Sequence, residues 1–385
     1  MRLALALLVL SSWSMPASTA TADTLAGSGL LEAPKPFTIE SVRLRYTFFD
    51  QSGRGYQSLA GAGTRGPGSE QISVSEPQVE IIAHQGDRIT HRIWAPLDVV
   101  SAASPDAVDA VSRASRYQEA GGIDVASTFR ADRDDEVGTR FAIHLEENYR
   151  SWTMGLGWTR HMAEDNAVFQ ASLNQTFDWF DAYNLGGSNR GREARSTTNA
   201  NVGFTQILSR TTVGNVNYGL SVQTGELSNT WNTVPVADGT HGLEVLPHLR
   251  VRHAIVGRLV QALPWRASFK ASYRFYIDSW GAIGNTIELF LYQRITRWLY
   301  ARATYRAHLQ RGVDFYTQLS PLGVGLRTAD SDLADFTGHT VGGKLALELP
   351  LRRLRLLAID LAYEHYWRTN DLRVNVYSAS VGTTF

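Results

Sequence analysis

Several basic residues of this chain stand an even number of positions apart: Lys270 and Arg274, Arg302 and Arg306, and the series Arg250, Arg252 and Arg258. In an extended strand such residues share one face. These spacings therefore gather guanidinium and ammonium groups on one side of a sheet. If that side lines water, fixed cations between low-dielectric walls concentrate anions and favour their passage. The full basic set on this face is Arg43, Arg45, Arg92, Arg130, Arg140, Arg250, Arg252, Arg258, Lys270, Arg274, Arg294, Arg302, Arg306, Lys344 and Arg368. The acidic set is smaller: Glu80, Asp98, Asp124, Glu146, Asp278, Glu288, Glu348, Asp360 and Glu364. Arg140, Arg252, Arg258, Lys270, Arg274, Arg302 and Arg306, with Glu288 and Glu364, are the candidates for lining a pore and setting its selectivity. The competing reading pairs each arginine with a carboxylate on a neighbouring strand, bracing the wall at little net stability per pair. Bracing and selectivity can coexist.

Signals for catalysis are weak. No H-E-x-x-H and no G-x-S-x-G occurs, and the ten histidines are scattered, with His144 and His308 at expected inner positions. Asp132-Arg133-Asp134-Asp135-Glu136 has the composition of a calcium loop but lacks its central glycine and twelve-residue spacing, so it reads as a solvated turn. A hydrolase would need Ser, His and an acid converging on one face, and no motif announces that. With no cysteine anywhere, a lipoprotein anchor, a disulfide framework and thioether-linked haem are excluded as properties of this chain. No cofactor or metal is expected. Lys plus Arg and Asp plus Glu number 37 each, and removal of Arg2 leaves 36 basic residues, so no net field calls for nucleic acid.

The elements that must carry these charges are strands. Arg2, the apolar run Leu3 to Leu10, and Ala20-Thr21-Ala22 before Asp23 have the three parts of a cleavable secretory leader, predicting a mature start at Asp23. Beyond it no window approaches eighteen consecutive apolar residues. Instead period-two alternation recurs along nearly the whole length. Leu299, Ala301, Ala303, Tyr305, Ala307 and Leu309 alternate with Tyr300, Arg302, Thr304, Arg306, His308 and Gln310, while Ala267 to Asp278 and Phe169 to Trp179 repeat the pattern. One face suits lipid, the other water. Mean hydropathy of −0.19 with 10% aromatic residues fits a barrel with a polar interior.

Sixteen such runs are predicted, beginning near Ile39, Glu70, Arg88, Glu119, Val137, Arg150, Asn166, Arg195, Thr211, Leu246, Trp265, Ala282, Trp298, Thr337, Arg353 and Asn370. Connections alternate between long ones (51–69, 104–118, 181–194, 226–245 and 314–336) and tight turns, which places both termini at the tight-turn end, the periplasmic side of an outer-membrane barrel. Within Pro105 to Arg116, proline comes early, acids near the start and Arg113 and Arg116 at the end, predicting a short helix that either plugs the mouth or rests on the rim. Asn, Gly and three arginines make 181–195 a loop facing a ligand or lipopolysaccharide. Trp152, Trp158, Trp179, Trp265, Trp280, Trp298 and Trp367 are expected in interfacial girdles. In the last run, Arg373 to Phe385, the residues Tyr377, Ala379, Val381 and Phe385 share the apolar face. A terminal aromatic on such a strand is what the barrel-assembly machinery reads, making Phe385 and Tyr377 the candidate assembly signal. Alternation alone also fits a soluble β-sandwich. The leader, the terminal phenylalanine and the loop asymmetry together favour a transmembrane antiparallel β-barrel of outer-membrane type over 23–385.

Particular segments also resemble a known family. Val99-Val100-Ser101-Ala102-Ala103-Ser104-Pro105, the Arg-x-x-Arg-Tyr stretch at Arg113 to Tyr117, Tyr273-Arg274-Phe275-Tyr276-Ile277-Asp278-Ser279-Trp280-Gly281, Asn285-Thr286-Ile287-Glu288 and Asp314-Phe315-Tyr316 are similar to the proteobacterial outer-membrane family called domain of unknown function thirty-five-seventy. The resemblance implies the barrel and its location and supplies no established activity. It also implies company with small lipoproteins and redox-type periplasmic proteins, hence an assembly component. Two expectations follow: a channel with an arginine-rich lumen passing small, anion-leaning solutes, or a scaffold or sheath that docks a periplasmic or surface partner. In either case the surroundings are outer-membrane lipid and lipopolysaccharide.

Overall fold

The computed structural model describes residues 37–53, 72–101, 117–184, 188–228, 232–323, 325–351 and 354–385. The helix expected in Pro105 to Arg116, the leader and most of 51–69 lie outside these. Sixteen strands close into one antiparallel barrel, and two short strands pair in a connection. In chain order they are β1 Phe37–Gly53, β2 Ile72–Gln85, β3 Ile89–Ser101, β4 Tyr117–Arg130, β5 Asp135–Glu146, β6 Tyr149–Met162, β7 Ala167–Tyr183, β8 Asn189–Ser209, β9 Thr212–Gly225, the short β10 Thr233–Pro235 and β11 His241–Leu243, β12 Leu249–Leu263, β13 Ala267–Asp278, β14 Ile283–Arg294, β15 Leu299–Arg311, β16 Phe336–Leu349, β17 Leu356–Arg368 and β18 Leu372–Thr384.

Every barrel strand pairs with its sequence neighbour, and β1 closes on β18 from Ser41 opposite Thr384 to Gly53 opposite Leu372. Closure leaves no unpaired edge, which a bilayer would penalise heavily because its core offers no water to free N–H and C=O groups. The backbone N–H of Phe385 donates to the Glu40 carbonyl at 2.9 Å, fastening the last residue across the seam. Pro77 and Pro96 have no N–H to give. Near them the β2–β3 pairing skips from Ser75 opposite Val99 to Gln78 opposite Pro96, without unzipping the wall.

Alternation sorts the side chains. Leu156, Leu173, Val216, Ile255, Tyr273, Ile287, Leu309, Leu345 and Leu361 are all exposed, and successive strands present them on the same side. A continuous apolar outer surface of this size is stable only against lipid. Trp152, Trp158, Trp179, Trp265 and Trp298 stand exposed on it near strand ends, as expected of a girdle. Polar atoms on this outer face are paired: Tyr218 Oη with His253 Nδ1 at 2.8 Å, and Tyr305 Oη with His339 Nδ1 at 3.1 Å. His339 in turn stacks on Trp367 at 5.4 Å. Trp280 is the correction. It is 5% exposed and belongs to an internal core, because the turn after β13 folds it inward.

A second correction concerns 181–194. Instead of a long loop, β7 runs on to Tyr183 and β8 begins at Asn189, so the segment is an extended hairpin. Its arginines are held by acids: Arg192 by Asp181 at 3.8 Å, Arg195 by Asp178 at 2.9 Å, and Arg190 by Glu226 at 3.9 Å. The glycine and asparagine that read as loop residues sit at a bulge, where register shifts between Ala182 and Tyr183.

Candidate functional site

The inner face of the wall carries the charges, and it is not uniform. On β12 to β15 the inner positions hold Arg252, Arg258, Lys270, Arg274, Arg302 and Arg306 against Glu288 and the buried Asp278. On β2 to β5 they hold Glu76, Glu80, Asp98, Asp124, Glu136 and Glu146 against Arg92, Arg130 and Arg140. In the ring of strands β3 stands eight steps from β13 in either direction, so a basic wall faces an acidic one. Sixteen strands about 4.8 Å apart and tilted by about 40° set the two backbones roughly 30 Å apart.

Many predicted residues pair as bracing requires. Arg140 grips Asp124 with Nη2 at 2.6 Å, Arg306 meets Glu288 at 3.4 Å, Arg302 meets Glu364 at 3.2 Å, and Lys344 meets Asp360 at 2.9 Å. Glu80 lies between Arg92 at 2.6 Å and Arg43 at 3.7 Å. Others have no acid within ion-pair distance among the described residues. Arg252 donates to Gln223 at 2.9 Å and Arg258 to Asn215 at 3.1 Å, while Lys270 and Arg274 lie over the rings of Phe290 at 5.1 Å and Tyr276 at 5.4 Å. The surplus of positive charge on the inner wall is therefore concentrated in β12 and β13. Glu76, Glu136 and Asp178 were missed, although each continues an alternation already visible: Glu76 precedes Gln78 and Glu80, and Asp178 follows Asn174 and Thr176. His144 bonds Glu146 at 3.1 Å and His308 bonds Thr286 at 2.8 Å, and no triad forms around either among the described residues.

At the long-connection end the barrel is capped. The connection from β9 to β12 contains the β10–β11 hairpin, and it meets the connection from β15 to β16 through bridges between Val236 and Ser320 and between Val245 and Arg327. Val234, Ser320 and Thr328 are fully buried here, the largest side chains of the described chain to be so. Asn232 donates to Asp330 at 3.1 Å and Thr328 to Glu244 at 2.5 Å. Asp238 accepts from the Thr240 backbone at 2.9 Å and from its hydroxyl at 2.6 Å, which holds its carboxyl below the usual carboxylate range. The cap rests on the inner side of the rim. Arg368 of β17 reaches Asp332 and Ser331, and Gln310 of β15 donates to the Asp332 and Ala334 carbonyls at 2.8 and 2.9 Å.

A buried carboxylate fixes the turn after β13, and the cap packs on that turn through Trp280. Asp278, with a side chain 0% exposed, accepts from Arg250 through Nε at 2.8 Å and through Nη2, from Tyr276 Oη at 2.7 Å, and from the backbone N–H groups of Trp280 at 2.9 Å and Ala282 at 3.0 Å. Arg250 also lies 4.1 Å from the Trp280 ring. Trp280 donates its indole N–H to the Leu249 carbonyl at 2.9 Å, accepts from the Asp314 backbone at 2.9 Å, and meets Phe315 edge-on at 5.4 Å. Gly281 has φ +90, and a Cβ there would collide with the Asp314 carboxylate. The segments 273–281 and 314–316, far apart in sequence, thus close on each other at this joint. Leu227, Leu246, Trp280, Ala282 and Val313 form its apolar core. The acidic stretch at 132–136 is a turn over 132–134 that runs into β5: Asp132 accepts from the N–H groups of Asp134 and Asp135, both at 2.8 Å. Those bonds hold the Asp132 carboxyl below its usual range.

No curated protein matches the chain. Among solved structures it is similar to OccK9 (OpdG) of Pseudomonas aeruginosa, at 9% identity and TM-score 0.43, with 90% of this chain and 98% of that one covered. It is also similar to a Pseudomonas aeruginosa FadL homologue, at 10% identity and TM-score 0.44, covering 90% of each chain. A third similar structure is the siderophore receptor PirA of Acinetobacter baumannii, at 9% identity and TM-score 0.44, with 86% of this chain and 53% of that one covered. The family model described as "Protein of unknown function (DUF3570)" matches residues 120–378, which contain both segments of the joint, and the chain belongs to that family.

Proposed function

We propose that the protein is a passive solute channel of the outer membrane, seated in phospholipid and lipopolysaccharide, with a lumen that leans toward small anions. The observation that carries this reading is the run of cations with no ion pair among the described residues, Arg252, Arg258, Lys270 and Arg274, along one wall of a closed barrel. Fixed charge of one sign beside low-dielectric walls raises the local concentration of the opposite ion. The acidic wall opposite offers cations a path of their own, so the preference for anions is modest. Charge reversal at two pairs of sites tests this. Lys270→Glu with Arg274→Glu, read as reversal potential in a salt gradient, moves selectivity toward cations in a barrel that stays folded. Arg302→Glu with Arg306→Glu also turns toward cations, but it strands Glu364 and Glu288 among like charges and lowers the unfolding temperature as well. Selectivity untouched by both pairs would sink the proposal.

The folded cap favours a second reading, a scaffold that docks a surface partner or, through the opposite end, a small lipoprotein or periplasmic protein. Its support is that the two longest described connections spend their apolar residues on a common core, which makes a shaped outer surface. Site-specific crosslinking from Leu322 and Leu326, both exposed on the cap, would recover a defined partner; lipid-only adducts would count against it.

A further inference from the structure

Phe290 and Tyr292 interrupt the polar face of the lumen. Both are on β14, at inner positions where the alternation otherwise gives Thr286 and Glu288. Their rings stack at 6.4 Å with 29° between planes. Lys270 Nζ stands 5.1 Å from the Phe290 centroid and Arg302 Cζ 5.7 Å from it, so one ring has a cation from each flanking strand. Lys270, Phe290 and Thr304 are direct partners across β13, β14 and β15, and Tyr292 is the partner of Arg302.

The polar atoms of this patch are underused. Arg302 spends Nη2 on Glu364, while its Nε and the Thr304 hydroxyl oxygen are buried with no hydrogen-bond partner; Thr304 as a whole is only 8% exposed. Lys270 has no ion pair among the described residues. One surplus cation, two idle donors and two stacked rings therefore meet at one place on the wall. A halide or phosphate would use the donors and leave the rings wet. An aliphatic acid would cover the rings without matching their quadrupoles. An anion whose charge is carried on an aromatic ring uses both: its carboxylate takes Lys270 and the Thr304 hydroxyl, and its face continues the Phe290–Tyr292 stack.

We infer that Lys270, Phe290, Tyr292, Arg302 and Thr304 form a binding step for aromatic carboxylates, a substrate class that rests on the barrel being a solute channel. The test uses full-length protein in planar bilayers carrying chloride current, with benzoate or cyclohexanecarboxylate added. These probes share charge and approximate size and differ in aromaticity. Benzoate is expected to block chloride current at about threefold to tenfold lower concentration than cyclohexanecarboxylate, the range an aromatic pair contributes. Phe290→Leu removes that difference, read as the ratio of the two blocking concentrations within one protein, while Lys270→Gln weakens block by both acids. Equal block by the two acids, or benzoate block indifferent to Phe290→Leu, overturns the site. Equilibrium binding of benzoate to the same protein in detergent separates the two possible failures. Binding that needs Phe290 in a barrel passing no chloride upholds the site and refutes the channel. Chloride current without Phe290-dependent binding refutes the site and keeps the channel.

Discussion

Asp278 is where a single substitution does the most damage. Five donor contacts converge on it, and its partner Arg250 has no other ion pair among the described residues. Breaking such a buried pair typically costs about 3–5 kcal/mol. We expect Asp278→Ala to release the cap: chymotrypsin added to intact cells should cut within the connections 226–248 and 312–335 while the barrel stays resistant to unfolding by detergent at room temperature. Unchanged protease resistance would contradict the hub. Gly281→Ala should act the same way, since φ +90 and the Asp314 carboxylate both exclude a methyl group. Asp238 gives a pH signature. Its folded carboxyl lies below the ordinary value, so the stability it lends its turn is present above the unfolded pKa and is lost only as pH falls through the folded one. A carboxyl titration followed by NMR should thus have its midpoint below that of a free aspartate, and Asp238→Asn should leave the turn insensitive to acid. The pairing residues were legible from spacing. The hub was not, because Asp278 reads as one more inner charge until the turn after β13 brings Trp280 and Ala282 back onto it.

At the scale of elements, alternation alone located the wall. Sixteen strands begin where period two predicts, mostly within three residues, with β8 the exception because its first residues carry the glycine and arginines of an extended hairpin. The β10–β11 hairpin and the cap were illegible for a physical reason. Their order comes from packing between two connections, each too irregular to show a period by itself. Trp280 was misplaced in the same way, since tryptophan near a strand end serves a lipid girdle and a buried core equally well. The terminal strand yields a prediction of its own. Phe385 stands half exposed on the lipid side beyond β18, with Tyr377 on the same face, so its side chain adds little to the packing of the barrel. Replacing Phe385 with Ala is therefore expected to reduce the amount of folded barrel in the outer membrane several-fold while leaving the melting temperature of whatever assembles unchanged. An equal yield of folded protein would argue that assembly does not read this residue.

For the whole molecule, the organising feature is the opposition of a basic wall on β12 to β15 and an acidic wall on β2 to β5, capped at one end by two connections locked over the basic side. Either wall was readable from the sequence as a set of inner charges; their placement across the lumen follows only from closure, which turns a linear order of strands into a ring. Closure also sets the two sets of charges of a formally neutral chain on opposite walls. The central claim is that this ring conducts. We would record single-channel currents from the refolded full-length protein in a planar bilayer under a potassium chloride gradient. The account predicts discrete conductance steps with a reversal potential displaced modestly toward that of chloride. Silence from a demonstrably folded barrel, or a reversal potential on the potassium side, would contradict it.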